Sequence, residues 1–202
     1  VIRGHLDMLA ETVPDDNEHV AAMEERLDNV VNLSETARHI EQLQNTENEE
    51  DLTTFELASV VGDQLERLRL DWPEAEISAV LPDSVTVVAH ELLPYALDNL
   101  LENAVEHNDS DAPRVQVAVS RETEAPSGHA RLTIEDNGPG LPRTEKRVLT
   151  AETETPLTHS TGMGLWLSRW IVHSSDGRLR VESSGCDGTR IDMELRYSER
   201  AD

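Results

Sequence analysis

The stretch Leu97–Asp109, LDNLLENAVEHND, decides the reading of this chain. Leu93, Leu97, Leu100, Leu101, Ala104 and Val105 recur at intervals of three and four, which predicts an amphipathic helix from about Glu91 to His107. Asn99, Asn103 and His107 recur at four and share one face beside the apolar one. An amide competes with the backbone for hydrogen bonds and lowers helix propensity by roughly 0.5 kcal/mol against alanine. Satisfied polar residues at a helix rim would account for either amide alone. Two in a ladder invite a second reading, since a neutral amide oxygen is a hard ligand suited to Mg2+ that also holds phosphates.

Charge dominates the composition. The 202 residues carry a formal net charge of −24, with acidic side chains spread along the whole chain and Lys146 as the only lysine. Periodic apolar segments set it apart from a disordered acidic chain. The pattern predicts a folded, haloarchaeal-like protein adapted to concentrated salt, where screening suppresses self-repulsion. It argues against DNA or an anionic membrane as partner. Cys186 is the only cysteine, which excludes an internal disulfide and a cysteine metal cluster. His19, His39, His90, His129, His159 and His173 have no metal-ligand spacing. No run approaches the ~20 apolar residues of a membrane span. The start at Val1, without a signal-peptide pattern, reads as a cytoplasmic piece of something longer, whose upstream regions could attach it to a membrane.

Residues 1–46 predict an antiparallel helical hairpin. A first helix stops at Pro14, and a second carries the stripe Met23, Leu27, Val30, Leu33, Ala37 and Ile40. Residues 47–51 form a polar linker, and 52–202 a second domain. There, FELASVVGDQLERLRLDW reads as a helix from Phe55, followed by the strands EISAV and VTVVA and then the Asn-bearing helix. RVQVAVSRE and HARLTIEDNG are strands joined by a turn, and RLRVESS with GTRIDMELR make a terminal hairpin. Between these pairs, a helix opens at GMGLWL. The expected class is α+β: the hairpin, then a two-layer α/β sandwich with a mixed sheet and helices on one face.

Three further motifs bear on chemistry. DNGPGL, Asp136–Leu141, follows a strand directly and puts a carboxylate beside glycines that permit close ligand approach. A carboxylate accepts hydrogen bonds only, so it favours adenine's 6-amino group over guanine's 6-oxo group. GMGLWL, Gly162–Leu167, offers bare N–H groups at a helix N-terminus to phosphate. DGT, Asp187–Thr189, is by itself a hairpin turn.

In this order the motifs resemble the ATP-binding domain of sensor histidine kinases, the Bergerat-fold group shared with gyrase, Hsp90 and MutL. The resemblance runs from Leu52 to about Arg196 and implies ATP and Mg2+ as cofactors. It assigns Asn103 to the metal and Asn99, His107, Asp136, Gly138, Gly140, Gly162, Gly164, Leu165 and Thr189 to the nucleotide. It further implies transfer of the γ-phosphoryl to a histidine, relay to a response regulator receiver domain, an upstream sensor domain and a homodimer through the hairpin. Gyrase-like ATPases have a glutamate where Asn99 stands, so this chain departs toward phosphoryl transfer rather than hydrolysis. Glu102 falls off the Asn face and reads as solvated surface. Gly140–Thr161 contains no Phe, so the usual phenylalanine-centred lid motif is missing. The HLD around His5 does not fit the acceptor pattern, so the acceptor is expected upstream of residue 1 and this fragment is expected not to phosphorylate itself. A catalytically silent nucleotide-binding scaffold and a Bergerat-type ATPase are the alternatives.

Overall fold

The computed structural model describes residues 52–122, 128–141, 163–183 and 188–198, together with Val20 and Met23. The chain divides into two compact units, Val1–Glu47 and Asn48–Asp202. In the first, Val20 and Met23 are helical; the remainder of the hairpin expected over 1–46 lies outside the described residues.

The second unit begins with strand β1 (Leu52–Glu56), helix α1 (Leu57–Asp71) and strands β2 (Glu76–Val80) and β3 (Thr86–His90). Helix α2 (Leu93–Glu106) leads to the long antiparallel pair β4 (Arg114–Glu122) and β5 (His129–Asp136). Helix α3 (Met163–Ser174) precedes β6 (Arg178–Ser183) and β7 (Thr189–Tyr197). The sheet order is β1-β3-β7-β5-β4-β2, with β6 also on β7. One edge of β7 pairs with β5 over most of its length. The other is shared end to end by β6, against Thr189–Glu194, and β3, against Arg196 and Tyr197. Among the described residues only the β2–β4 pair is parallel, so the sheet is mixed.

One expectation is corrected. Phe55 and Glu56 end a strand, and the helix starts at Leu57. Phe55 pairs with Val87 across β1–β3, and the Glu56 carboxylate receives Ser84 Oγ at 2.7 Å and the Val85 N–H at 2.6 Å. Burial alone would raise the Glu56 pKa, but these hydrogen bonds hold it below the ordinary carboxylate value. The corner depends on residues about thirty positions away, which helical periodicity cannot register.

Alternation decides the layers. Val87, Ala89, Val115, Val117, Val119, Ala130, Leu132, Ile134, Ile191, Met193 and Leu195 are buried on one face of the sheet. They belong to one core with Leu57, Val61, Leu65 and Leu68 of α1, Leu93, Leu97, Leu100 and Leu101 of α2, and Leu165 and Val172 of α3. Buried Gln64 ties α1 to α2 by donating to the Pro94 carbonyl at 3.0 Å. The opposite face carries charge in cross-strand rows. Arg190 meets Glu135 at 2.6 Å and Asp192 at 3.0 Å, while Arg131 and Arg180 flank Glu194 at 3.2 and 3.3 Å. That face carries its own ion pairs, and among the described residues the helices all pack on the other one, which gives two layers.

Candidate functional site

The C-terminal half of α2, the end of β5, the first turn of α3 and the start of β7 converge on one cavity of about 300 Å³. Leu100, Ala104, Ile134, Leu141, Leu165 and Ile191 give it apolar walls; Asn103, His107, Asn108, Asp136 and Thr189 supply polar groups. Apolar walls with a few convergent polar atoms suit a flat heterocycle whose orientation is fixed at its edge.

Asp136 is one of the polar lining residues. Its Oδ1 accepts the Gly138 N–H at 2.8 Å and the Thr189 N–H at 3.2 Å. Burial pushes its pKa above the ordinary aspartate value, against the lowering by those two N–H groups and the Thr189 side chain. Gly140, on the cavity wall, has φ 79°, in the left-handed region that glycine enters without strain. Gly138 is set behind Asp136, where a Cβ would lie 3.1 Å from Asp136 Oδ1 and 3.3 Å from Asn108 Cα.

Asn103 is a second polar lining residue. The Asn103 Nδ2 donates to the Asn99 carbonyl at 2.6 Å and to Asn99 Oδ1 at 2.9 Å. Both bonds use the nitrogen, which leaves Oδ1 as the atom Asn103 can offer to a ligand. His107 is exposed at the end of α2 and lines the cavity.

Of the residues expected at the site, Asn103, His107, Asp136, Gly140, Leu165 and Thr189 share this cavity, with Gly138 beside them. Asn99 is placed one helical turn from Asn103, packed against Gly164 rather than among the lining residues. Gly162, the 142–162 segment with its missing phenylalanine and His5 lie outside the described residues. Asn108 and Asn137 were not anticipated. Asn108 Nδ2 donates to Asn137 Oδ1 at 2.9 Å, and Asn137 Oδ1 also accepts the Arg114 N–H at 2.7 Å. This pair fastens the end of α2 to the Asp136 corner. The sequence signal was slight: an Asn just past a helix end, and an Asn-Gly that reads as a turn.

A helical layer on one face of a mixed sheet, with the cavity between α2, β5 and α3, defines a two-layer α+β class of domain. The chain belongs to the family described as histidine kinase-, DNA gyrase B-, and HSP90-like ATPase, whose model matches residues 90–199. It is 32% identical over 142 residues to the C4-dicarboxylate transport sensor protein DctB of Rhizobium meliloti, covering 69% of this chain and 21% of that protein. It is 33% identical over 145 residues to the sensor protein kinase CarS of Pseudomonas aeruginosa, covering 70% of this chain and 31% of that one. The solved mycobacterial sensor histidine kinase MprB superimposes with a TM-score of 0.58 at 25% identity, over 72% of this chain and 98% of that one. The chain thus spans between about a fifth and a third of these two curated relatives. Among the described residues, no helix is long and apolar enough to cross a membrane.

Proposed function

We propose that this chain binds Mg-ATP in the cavity and donates the γ-phosphoryl to a histidine, as the catalytic part of a sensor histidine kinase. The observation that carries the reading is one mainly apolar cavity lined by both the Asp136 carboxylate and the Asn103 amide. Asp136 would accept the 6-amino group of adenine while apolar walls enclose the ring. Asn103 Oδ1, its nitrogen engaged by Asn99, fits the donor set for Mg2+, which takes few protein ligands and completes its octahedron with water and phosphate oxygens. Bound Mg-ATP supplies the phosphoryl group and the cation that neutralises its charge. The chain's own part is to grip the base, fix the amide and exclude water between the apolar walls. An amide at Asn99 cannot take a proton from water, which favours transfer over hydrolysis.

Calorimetry on the chain tests this. ATP should bind at least about tenfold more tightly than GTP, in line with one charge-assisted hydrogen bond, and more tightly with Mg2+ than in EDTA. Equal affinity for the two nucleotides would sink the base assignment. Transfer of acid-labile label to a histidine on an acceptor helix supplied with the chain separates the kinase from a silent scaffold, and sustained phosphate release would favour the ATPase.

The partners proposed are a response regulator receiver domain, an upstream sensor domain and a second copy through the 1–46 hairpin. Met23, on the expected hairpin stripe, is 54% exposed, which supports an unfilled interface there. Light scattering on the whole chain against residues 52–202 tests the dimer; equal association of the shorter piece would refute it. The −24 charge supports adaptation to concentrated salt. Circular dichroism should show a fold strengthened from dilute buffer to multimolar KCl, and identical melting in both would count against it.

A further inference from the structure

The geometry points to Asn99 as a positioning residue that couples the first turn of α3 to the orientation of the Asn103 amide. It rests on the reading of Asn103 as the residue facing the phosphates and their cation. A Cβ on Gly164 would fall 2.5 Å from Asn99 Oδ1 and 2.8 Å from its Cγ, with Nδ2 also in contact. The Asn99 amide therefore fills the space a side chain at 164 would need, and the α3 backbone is its wall. That wall is pinned to α2. Buried Ser168 donates to the Gly164 carbonyl at 2.9 Å and reaches the Ala96 carbonyl at 3.4 Å, one helical turn before Asn99.

The other side of Asn99 faces Asn103. Its Oδ1 accepts one of the two hydrogen bonds that hold the Asn103 nitrogen toward Asn99. An Asn amide rotates through a broad, nearly two-fold torsional well, and without Asn99 Oδ1 the Asn103 nitrogen is held by the Asn99 carbonyl alone, so its orientation is less tightly fixed. A looser amide presents its oxygen to a cation less precisely. Where α3's first turn stands thus sets how firmly Asn103 presents its oxygen, and a methyl at 164 would push the Asn99 amide out of its place.

The measurement is the ratio of ATP affinities in Mg2+ and in EDTA, taken on the whole chain by calorimetry. Asn99→Ala should cut this Mg2+-linked gain about tenfold, the scale of one oriented hydrogen bond, while adenosine affinity stays within about twofold. Gly164→Ala should do the same although it removes no polar atom. The double variant should be no worse than either single one, because the amide displaced by the new methyl is gone. An unchanged ratio in Asn99→Ala, or losses that add fully in the double variant, would overturn the coupling. A wild-type chain with no Mg2+-linked gain would instead overturn the role of Asn103 itself, and the inference with it. Side-chain amide exchange by NMR on the nucleotide-free wild type needs no variant. Slowed exchange at Asn103 supports the brace, and exchange at the free-amide rate refutes it.

Discussion

Gly188 and Asp136 meet backbone to backbone. Gly188 has φ 88°, and a Cβ there would overlap the Asp136 carbonyl oxygen and lie 2.7 Å from its carbon. The contact brings the start of β7 against the end of β5, and the next residue, Thr189, donates its N–H to the Asp136 carboxylate. Gly188→Ala should destabilise the domain by about 2–4 kcal/mol, from left-handed strain plus displacement of packed backbone. Adenosine binding should fall with it, since Asp136 would move. Urea unfolding checks the first point; a loss below about 1 kcal/mol would mean that the corner yields easily.

Asp136→Asn should separate stability from function. An amide oxygen can still accept the Gly138 and Thr189 N–H groups, while the charge that burial disfavours is removed. A carboxyl whose folded pKa is raised stabilises the fold fully below its unfolded value and loses that contribution as pH rises through the folded one. The variant should therefore unfold no more easily than wild type at pH 7–8, yet bind ATP about 10- to 100-fold more weakly. Wild-type binding should also weaken on acidification at a pH above the ordinary aspartate range, as Asp136 takes up a proton. Unweakened ATP binding by the variant would remove Asp136 from the site.

On the outer side of α2, partial burial and then the neighbouring Asp98, Glu106 and Asp71 push the Glu102 pKa up to about 7, with Arg67 opposing. Ionising this carboxyl weakens the fold, and the weakening sets in as pH rises from about 4.5 toward 7. Because Glu102 is exposed, water screens most of the effect. Glu102→Gln should stabilise by about 0.5–1 kcal/mol at pH 8 and by nothing measurable at pH 4. Urea midpoints at the two pH values, each repeated in molar KCl, provide the check; an equal gain at both pH values would contradict the charge origin.

Helix α3 ends in a left-handed residue that is not glycine. The Gly177 N–H returns to the Val172 carbonyl at 2.9 Å and the Asp176 N–H to the His173 carbonyl at 3.0 Å, a Schellman turn with Asp176 at φ 53°. Glycine is spent instead on position 177, where a Cβ would lie 2.6 Å from the Glu194 carbonyl oxygen. Asp176→Gly should raise stability by about 0.5–1 kcal/mol by relieving the left-handed strain. Its loose contact with Arg196, 3.9 Å and largely exposed, adds little. Gly177→Ala should be strongly destabilising. Thermal melts that rank the two variants the other way would refute this account.

The sequence by itself determined most of the secondary structure and much of the cavity. Apolar periods of two and of three to four are local signals, so Arg114–Glu122 was legible to the residue and α2 to within two. Asp136 and Asn103 were legible too, because glycines follow the one closely and a second amide stands one turn from the other. Tertiary structure alone decided what depends on distant backbone: that Phe55 ends a strand, that Gly188 must be bare to clear Asp136, and that Asn108 and Asn137 clasp each other. It also decided that Asn99 turns to Gly164 while Asn103 lines the cavity. Helical spacing puts both amides on one face, but which of them reaches a ligand depends on where the neighbouring helix packs, and no local pattern encodes that position.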